Sequence, residues 1–403
     1  MAAPATVLFD LTPLDTQSRY RGHGRYICDL AAGLARLPAR HLEGMRLVGL
    51  THLRTDGRFQ TTTDLASFTG TPGLTPRDMN HYAWSWRRRA LLWWVCRRLG
   101  AAAVHMGDAT GVPFLMPLSG CKRIVTCHDM TPSHWPERYF DLGGGGPIFG
   151  PMIEARRYWS ADYVVAISDA VLEDAVTIAG VDRSRITRVY NGIDVDRWAA
   201  PLPPTARAVR ERLALGARPF FLYVGDAGWH KNVEGIVGGV ARARSLGHDV
   251  DLLWAGLLST ERAARIDALA REAGILPNVR RLGYVADDDL HVLYRECTAH
   301  VFVSRAEGFG MPLLEAMAAG APTIASSIGP LREVGGDAPT FVDPEDHAAI
   351  GDAMARMLVD PELRRRSSVA GTTRARLFTC DHQARQMANV YRRVVGLPVV
   401  DES

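Results

Sequence analysis

Short apolar runs recur along this chain with helical patterns between them, at 7–9, 46–50, 123–126, 163–167, 220–224, 251–255, 300–303 and 322–325. Runs apolar on both faces border water on neither, and their alternation with helices indicates parallel sheets covered on both sides. The expected fold is therefore α/β, with two doubly wound, Rossmann-like domains. A stretch with three prolines at 196–205 marks the break, which predicts domains at 1–195 and 205–378 and a terminal piece at 379–403. In such sheets ligands bind outside the carboxyl ends of the strands, and a cleft between two domains is where a donor and an acceptor would meet.

Composition narrows the function. The 403 residues are 47% hydrophobic and 23% charged, as in soluble globular proteins, and the net charge of +3 gives no basis for nucleic-acid binding. Six cysteines form no C-x-x-C pair and no zinc spacing, which fits a reduced, cytoplasmic setting. No charged-then-apolar leader opens the chain and no apolar stretch approaches 18 residues, so neither a signal peptide nor a membrane span is expected.

The segment Glu307-Gly-Phe-Gly-Met-Pro-Leu-Leu-Glu315-Ala-Met-Ala-Ala-Gly-Ala-Pro322 carries the chemistry. It follows an apolar strand run, and Gly308, Phe309 and Gly310 form a turn in which the backbone can approach a ligand. Pro312 fits an early helical position and Gly320 the residue past the helix end, so the spacing predicts a helix over 311–319. Its unpaired N–H groups and partial positive charge suit phosphate oxygens, with the backbone of Gly308 to Met311 close by. Glu307 sits at the strand end, where a sugar would lie. Glu315 is expected in the first helical turn, reaching out to accept hydrogen bonds from vicinal ribose hydroxyls. Helix capping by both glutamates is the plainer alternative.

This Glu-x7-Glu pattern resembles that of the retaining glycosyltransferases of family 4, enzymes of the two-domain GT-B fold that use nucleotide-sugar donors. The resemblance runs along most of the chain, through Gly22-His-Gly-Arg-Tyr26, Cys127-His-Asp129, Ala166-Ile-Ser-Asp169, Tyr190-Asn-Gly-Ile-Asp194, Tyr223-Val-Gly225, Lys231-Asn232, Leu282-Gly-Tyr-Val285 and Arg332-Glu-Val-Gly-Gly-Asp337. It implies a hexosyltransferase that takes a nucleotide diphosphate sugar as donor and a hydroxyl of a saccharide or small natural product as acceptor, needing neither cofactor nor metal. It implies that Lys231 binds the diphosphate, that a loop at Gly22 and Gly24 approaches the phosphate through its N–H groups, and that Tyr284 and Val285 meet the base through their backbone. His128 would contact the transferred sugar beside Glu307. Retention in this family need not involve an enzyme-bound intermediate, so no nucleophile is assigned. The helical stretch 381–395 resembles the family's closing helix, which packs on the first domain. One departure stands out: where many members carry an arginine after Gly225 or before the lysine, this chain has Asp226 and His230, leaving the second cation to His230, to another arginine or to none.

Other features keep two readings. His128 also fits a structural histidine, and the glycine pair a plain turn. Asp194-Val-Asp196 and Asp287-Asp-Asp289 resemble metal-binding Asp-x-Asp motifs, but their places ahead of helices favour capping. The aromatic and basic stretch 84–98 reads as a buried helix with charged ends or as a peripheral membrane contact. The four glycines at 143–146 read as a lid or an insertion. Two further functions fit the same motifs, a nucleotide-sugar epimerase and a sugar-nucleotide binding protein without turnover.

Overall fold

The computed structural model of the chain describes residues 3–16, 19, 22–53, 58–69, 86–107, 120–140 and 146–401, with backbone alone at 86–89 and 146–148. It divides into two compact units, Met1–Ile193 with Phe378–Ser403, and Asp194–Leu377.

The first unit holds strands β1 (Ala5–Asp10), β2 (Met45–Leu53), β3 (Phe59–Thr62), β4 (Ala101–Met106), β5 (Lys122–Cys127), β6 (Tyr163–Ala166) and β7 (Ile186–Arg188). They lie in the order β3-β2-β1-β4-β5-β6-β7, all parallel except β3, which runs antiparallel along β2. The second unit holds β8 (Phe220–Val224), β9 (Asp251–Ala255), β10 (Val279–Gly283), β11 (Ala299–Phe302), β12 (Thr323–Ser326) and β13 (Thr340–Val342), in the parallel order β10-β9-β8-β11-β12-β13. Each sheet is doubly wound. The strand order reverses between β1 and β4 in one unit and between β8 and β11 in the other, and in open α/β sheets that reversal is where a ligand crevice opens.

Central strands are buried on both faces, which is why Phe220 to Tyr223 reads as an unbroken apolar run and Ile124 to Cys127 is interrupted only by the buried Thr126. The strands β3, β4, β7, β10 and β13 lie outside the eight apolar runs, β10 because Arg280 and Arg281 interrupt it. β3 and β7 are polar, β13 is a three-residue edge strand, and β4 opens with three alanines, a helix-favouring run that becomes strand because β1 and β5 flank it.

The proline-bearing stretch 196–205 is not a free connector. Asp194 caps a short helix, Val195–Ala199, by accepting from Arg197 N at 3.0 Å, and Trp198 is buried edge-on against Tyr294 and His291. The division therefore falls ahead of it, at Ile193. At the far end, the helix Cys380–Val394 belongs to the first unit and packs on the helix Gly22–Ala35. A Cβ on Gly33 would lie 2.4 Å from the carbonyl oxygen of Cys380, so the two helices touch backbone to backbone there. The helix Trp86–Arg98 buries Leu92, Val95 and Cys96 and leaves Trp94 39% exposed; Trp84, Ser85 and the side chains of 86–89 fall outside the described residues, as does the loop 143–145. Among the described residues no helix is long and apolar enough to cross a membrane.

Candidate functional site

Because the strands of the second unit are all parallel, the segments after β8, β9, β10 and β11 lie along one edge of the sheet. The two strands that flank the reversal contribute the central pair. After β8 the chain turns through Gly225, at φ +148°, into a single turn of 3-10 helix at Trp229–Lys231. After β11 it passes through Ser304 and Arg305 to Glu307. Lys231 Nζ lies 2.7 Å from Glu307 Oε1, with the side chains only 17% and 11% exposed. Residues 76 positions apart are thus joined in a half-desolvated ion pair, where each charge lacks enough water to stand alone.

Two residues absent from the expected site hold this pair in place. Asn232 is fully buried in the left-handed region, at φ +57°, and caps the helix Val233–Ser245 by accepting from Gly235 N. Its amide donates to the carbonyls of Val303, at 3.0 Å, and Pro344, at 2.7 Å, so the lysine turn is pinned to the end of β11. Arg305 donates from its backbone to His230 O and from its guanidinium to Trp229 O, while pairing with Glu345 and Glu234. Only Asn232 left a trace in the sequence, as the neighbour of Lys231.

The helix Met311–Ala319 has the expected bounds. Gly310 caps it at φ +100°, and a Cβ there would lie 2.5 Å from Leu331 Cδ2, so glycine is required both by conformation and by space. Glu315 is not in the first turn. It is the fifth helical residue, 6% exposed, with the Tyr294 hydroxyl 3.5 Å from its Oε2. Phe309 is 2% exposed and anchors the turn in the core, which leaves its backbone, with that of Gly308, as the part able to meet a ligand. Met311 is buried as well.

Asp226 lies in the same turn as His230. Its carboxylate pairs with Arg262 at 2.8 Å, from the helix Thr260–Glu272 that follows β9, and accepts from Gly228 N. Burial pushes this carboxyl up, but the charges of Lys231, Arg262 and His230 together with the Gly228 N–H outweigh it and hold it below the usual carboxylate range. Position 226 is therefore not simply a lost cation, since it holds the guanidinium of Arg262 at that turn. Tyr284, 60% exposed, and Val285 follow β10, two strands away from β8 on the same edge. The Asp287 to Asp289 cluster begins the helix Asp287–Glu296 itself, not a segment ahead of it, and its carboxylates pair with Arg197 and Arg212.

In the first unit, Gly22 and Gly24 are the first turn of the helix Gly22–Ala35 and not a loop. Between them His23 packs on His128, ring centres 4.2 Å apart and planes tilted by 32°, and Tyr26 meets the same ring edge-on at 4.8 Å. His128 follows β5 and donates from Nε2 to Gly107 O at 2.6 Å, since a carbonyl can only accept; this fixes its ring beside the helix start. Beneath it runs a buried chain, Tyr26 to Thr126 to His105 to Tyr391, each link 2.8 Å. Burial, with some help from the charge of His128, lowers His105 to about 3, so it is neutral. Nothing in the sequence marked His105, Thr126 or Tyr391.

A family described as "Glycosyltransferase Family 4" matches residues 20–197, and one described as "Glycosyl transferases group 1" matches residues 207–374, so the two halves of one architecture follow each other along the chain. The chain belongs to the family 4 glycosyltransferases. Its fold is GT-B. The O-antigen chain mannosyltransferase B of Escherichia coli is 29% identical over 58% of this chain and 61% of its own length. The D-inositol 3-phosphate glycosyltransferase of Xylanimonas cellulosilytica is 32% identical over 57% of this chain and 58% of its own. The match thus spans less than two thirds of either relative. Among solved structures, Anabaena HepE in complex with UDP and glucose superposes with a TM-score of 0.71 at 16% identity, covering 96% of this chain and 100% of HepE. WaaG, a glycosyltransferase involved in lipopolysaccharide biosynthesis, gives 0.68 at 16%, covering 95% and 99%.

Proposed function

We propose that this protein is a retaining, metal-independent glycosyltransferase that moves a hexose-type sugar from a nucleotide diphosphate donor to a hydroxyl of a saccharide or small natural product. The Lys231–Glu307 pair at the strand-order reversal of the second unit, beside the helix Met311–Ala319, is the observation that carries this reading. Sugar departure builds negative charge on the diphosphate and positive charge on the sugar ring, so the site needs cations and N–H donors for one and acceptors for the other. Lys231, Arg262 and the helix start serve the diphosphate, with His230 next to them. Glu307 serves the sugar, Glu315 the ribose hydroxyls, and the backbone at Tyr284 and Val285 the base. In the first unit we assign the helix start at Gly22 and Gly24 to the donor phosphate and His128 to a sugar hydroxyl. The mannosyl transfer in the name of the E. coli relative, and the UDP and glucose bound to HepE, support a nucleotide-linked hexose.

Independence from metal is supported by the occupation of four of the five aspartates that resembled metal ligands, Asp196 being exposed. Asp287, Asp288 and Asp289 are paired with arginines and Asp194 caps a helix, so the neutralising charge falls to Lys231 and Arg262.

The test is product analysis by NMR with an α-linked donor, run with and without exhaustive chelation. An α-linked product in both is expected, and Glu307→Gln should lower kcat by a factor on the order of 10², if its charge supports the transition state in a water-poor site. An inverted product, activity lost to chelator and restored by Mg²⁺ or Mn²⁺, or full turnover in Glu307→Gln would overturn this reading. Free epimerised donor formed without acceptor would point to an epimerase.

A further inference from the structure

The helix Gly146–Trp159 turns its apolar side outward. Its inner face is close-packed: a Cβ on Gly150 would lie 2.2 Å from the Phe140 ring, and Ala155 and Tyr158 are buried. Its outer face carries Phe149 at 58% exposure, Met152 at 44%, Ile153 at 37% and Trp159 at 47%, with Arg156 exposed among them. At 3.6 residues per turn these five positions fall within about 120° of the helix circumference. The stripe continues onto Ile178, also exposed, because the Trp159 indole donates to the carbonyl of the next residue, Ala179. Glu154, the one acid of the helix, lies off this face and pairs with Arg157 at 2.6 Å. Arg156 has no carboxylate partner among the described residues.

A helix on a water-facing surface presents polar side chains outward, and a contiguous apolar stripe is a surface that something covers. The lone cation in the middle of the stripe decides what. A second copy seated on the same stripe would offer Arg156 only apolar side chains or another arginine, since Glu154 lies off this face and is already paired with Arg157, so the cation would be buried without a counter-charge. A layer of lipid phosphates over an acyl interior matches both the apolar residues and the charge. We infer that the first unit docks on an anionic lipid surface through this helix face, with Phe149, Met152, Ile153 and Trp159 entering the boundary between headgroups and acyl chains and Arg156 meeting lipid phosphate. This docking would bring the protein to acceptors that are carried in a membrane, and it stands independently of the donor assignments.

The experiment is co-sedimentation of the full-length protein with vesicles of phosphatidylcholine alone and of phosphatidylcholine mixed equally with phosphatidylglycerol. Binding is expected to the mixed vesicles and to weaken as salt rises. The doubly substituted Phe149→Ser, Ile153→Ser protein should bind at least about tenfold more weakly, since it withdraws two apolar anchors. Arg156→Gln, which changes one exposed side chain, should lose the preference for mixed over neutral vesicles while melting at the same temperature as the parent. Failure of the parent protein to bind mixed vesicles, equal binding by the double variant, or a parent dimer in sedimentation equilibrium that the double variant abolishes would each overturn the inference.

Discussion

Glu315 shows how far one side chain departs from its place in the sequence. Read as a first-turn residue it would sit on an exposed helix start; one turn further in, it is 6% exposed and faces the Tyr294 hydroxyl at 3.5 Å. A carboxylate in so little water gains more from each donor it meets, and two ribose hydroxyls would supply such donors. Glu315→Ala is expected to weaken donor binding by about 1.5 to 3 kcal/mol, the range for hydrogen bonds to a charged group; unchanged affinity by calorimetry would rule out the ribose assignment. Glu307, Glu315 and Lys231 were legible because glycines, a proline and a strand run surround them and the motif is long. Asn232, Arg305 and Arg262 were not legible as site residues. The amide of Asn232 finds its partners 71 and 112 residues away, and Arg262 finds Asp226 36 residues away, distances over which local pattern says nothing.

At the scale of elements, the helix Met311–Ala319 was spelled out to its ends by Pro312 and Gly320, whereas β4 was hidden by its alanines and β3 by its polar side chains. Punctuation by glycine and proline is local and survives in sequence; strand identity imposed by neighbours is not. The glycines themselves differ in what they must be. Gly310→Ala forces a side chain into the left-handed region and against Leu331, and should destabilise the second unit by about 1 to 3 kcal/mol in urea unfolding. Gly22→Ala, where nothing lies within 4 Å of the new Cβ, serves as the control and should be neutral or slightly stabilising. Equal effects at the two positions would show that the strain at Gly310 is not real.

On the scale of the whole molecule, each unit carries a histidine sealed in its core. Burial lowers both His105 and His300 to about 3, and both ring nitrogens of His300 lack a hydrogen-bond partner among the described residues. The unfolded chain protonates its histidines near 6.5 and the folded one does not, so the stability present above that pH is lost as pH falls toward 3. Between pH 6.5 and 5 each should remove about 2 kcal/mol. His300→Leu is expected to make the acid slope of unfolding shallower by about one proton; the same slope as the parent would exclude His300 as its source. Connectivity adds a consequence of another kind. The chain leaves the first unit at Ile193 and re-enters at Phe378, and the two crossings are hydrogen-bonded, Ile193 N to Phe378 O at 3.0 Å and Cys380 N to Ile193 O at 3.2 Å. A ribosome therefore delivers every strand of the second unit before it delivers the helix that closes the first. The half begun earliest is completed last, and until then the flank of the helix Gly22–Ala35 around Gly33 stays uncovered. During synthesis the need for chaperone shelter falls on the amino-terminal half, long after its own sheet has emerged.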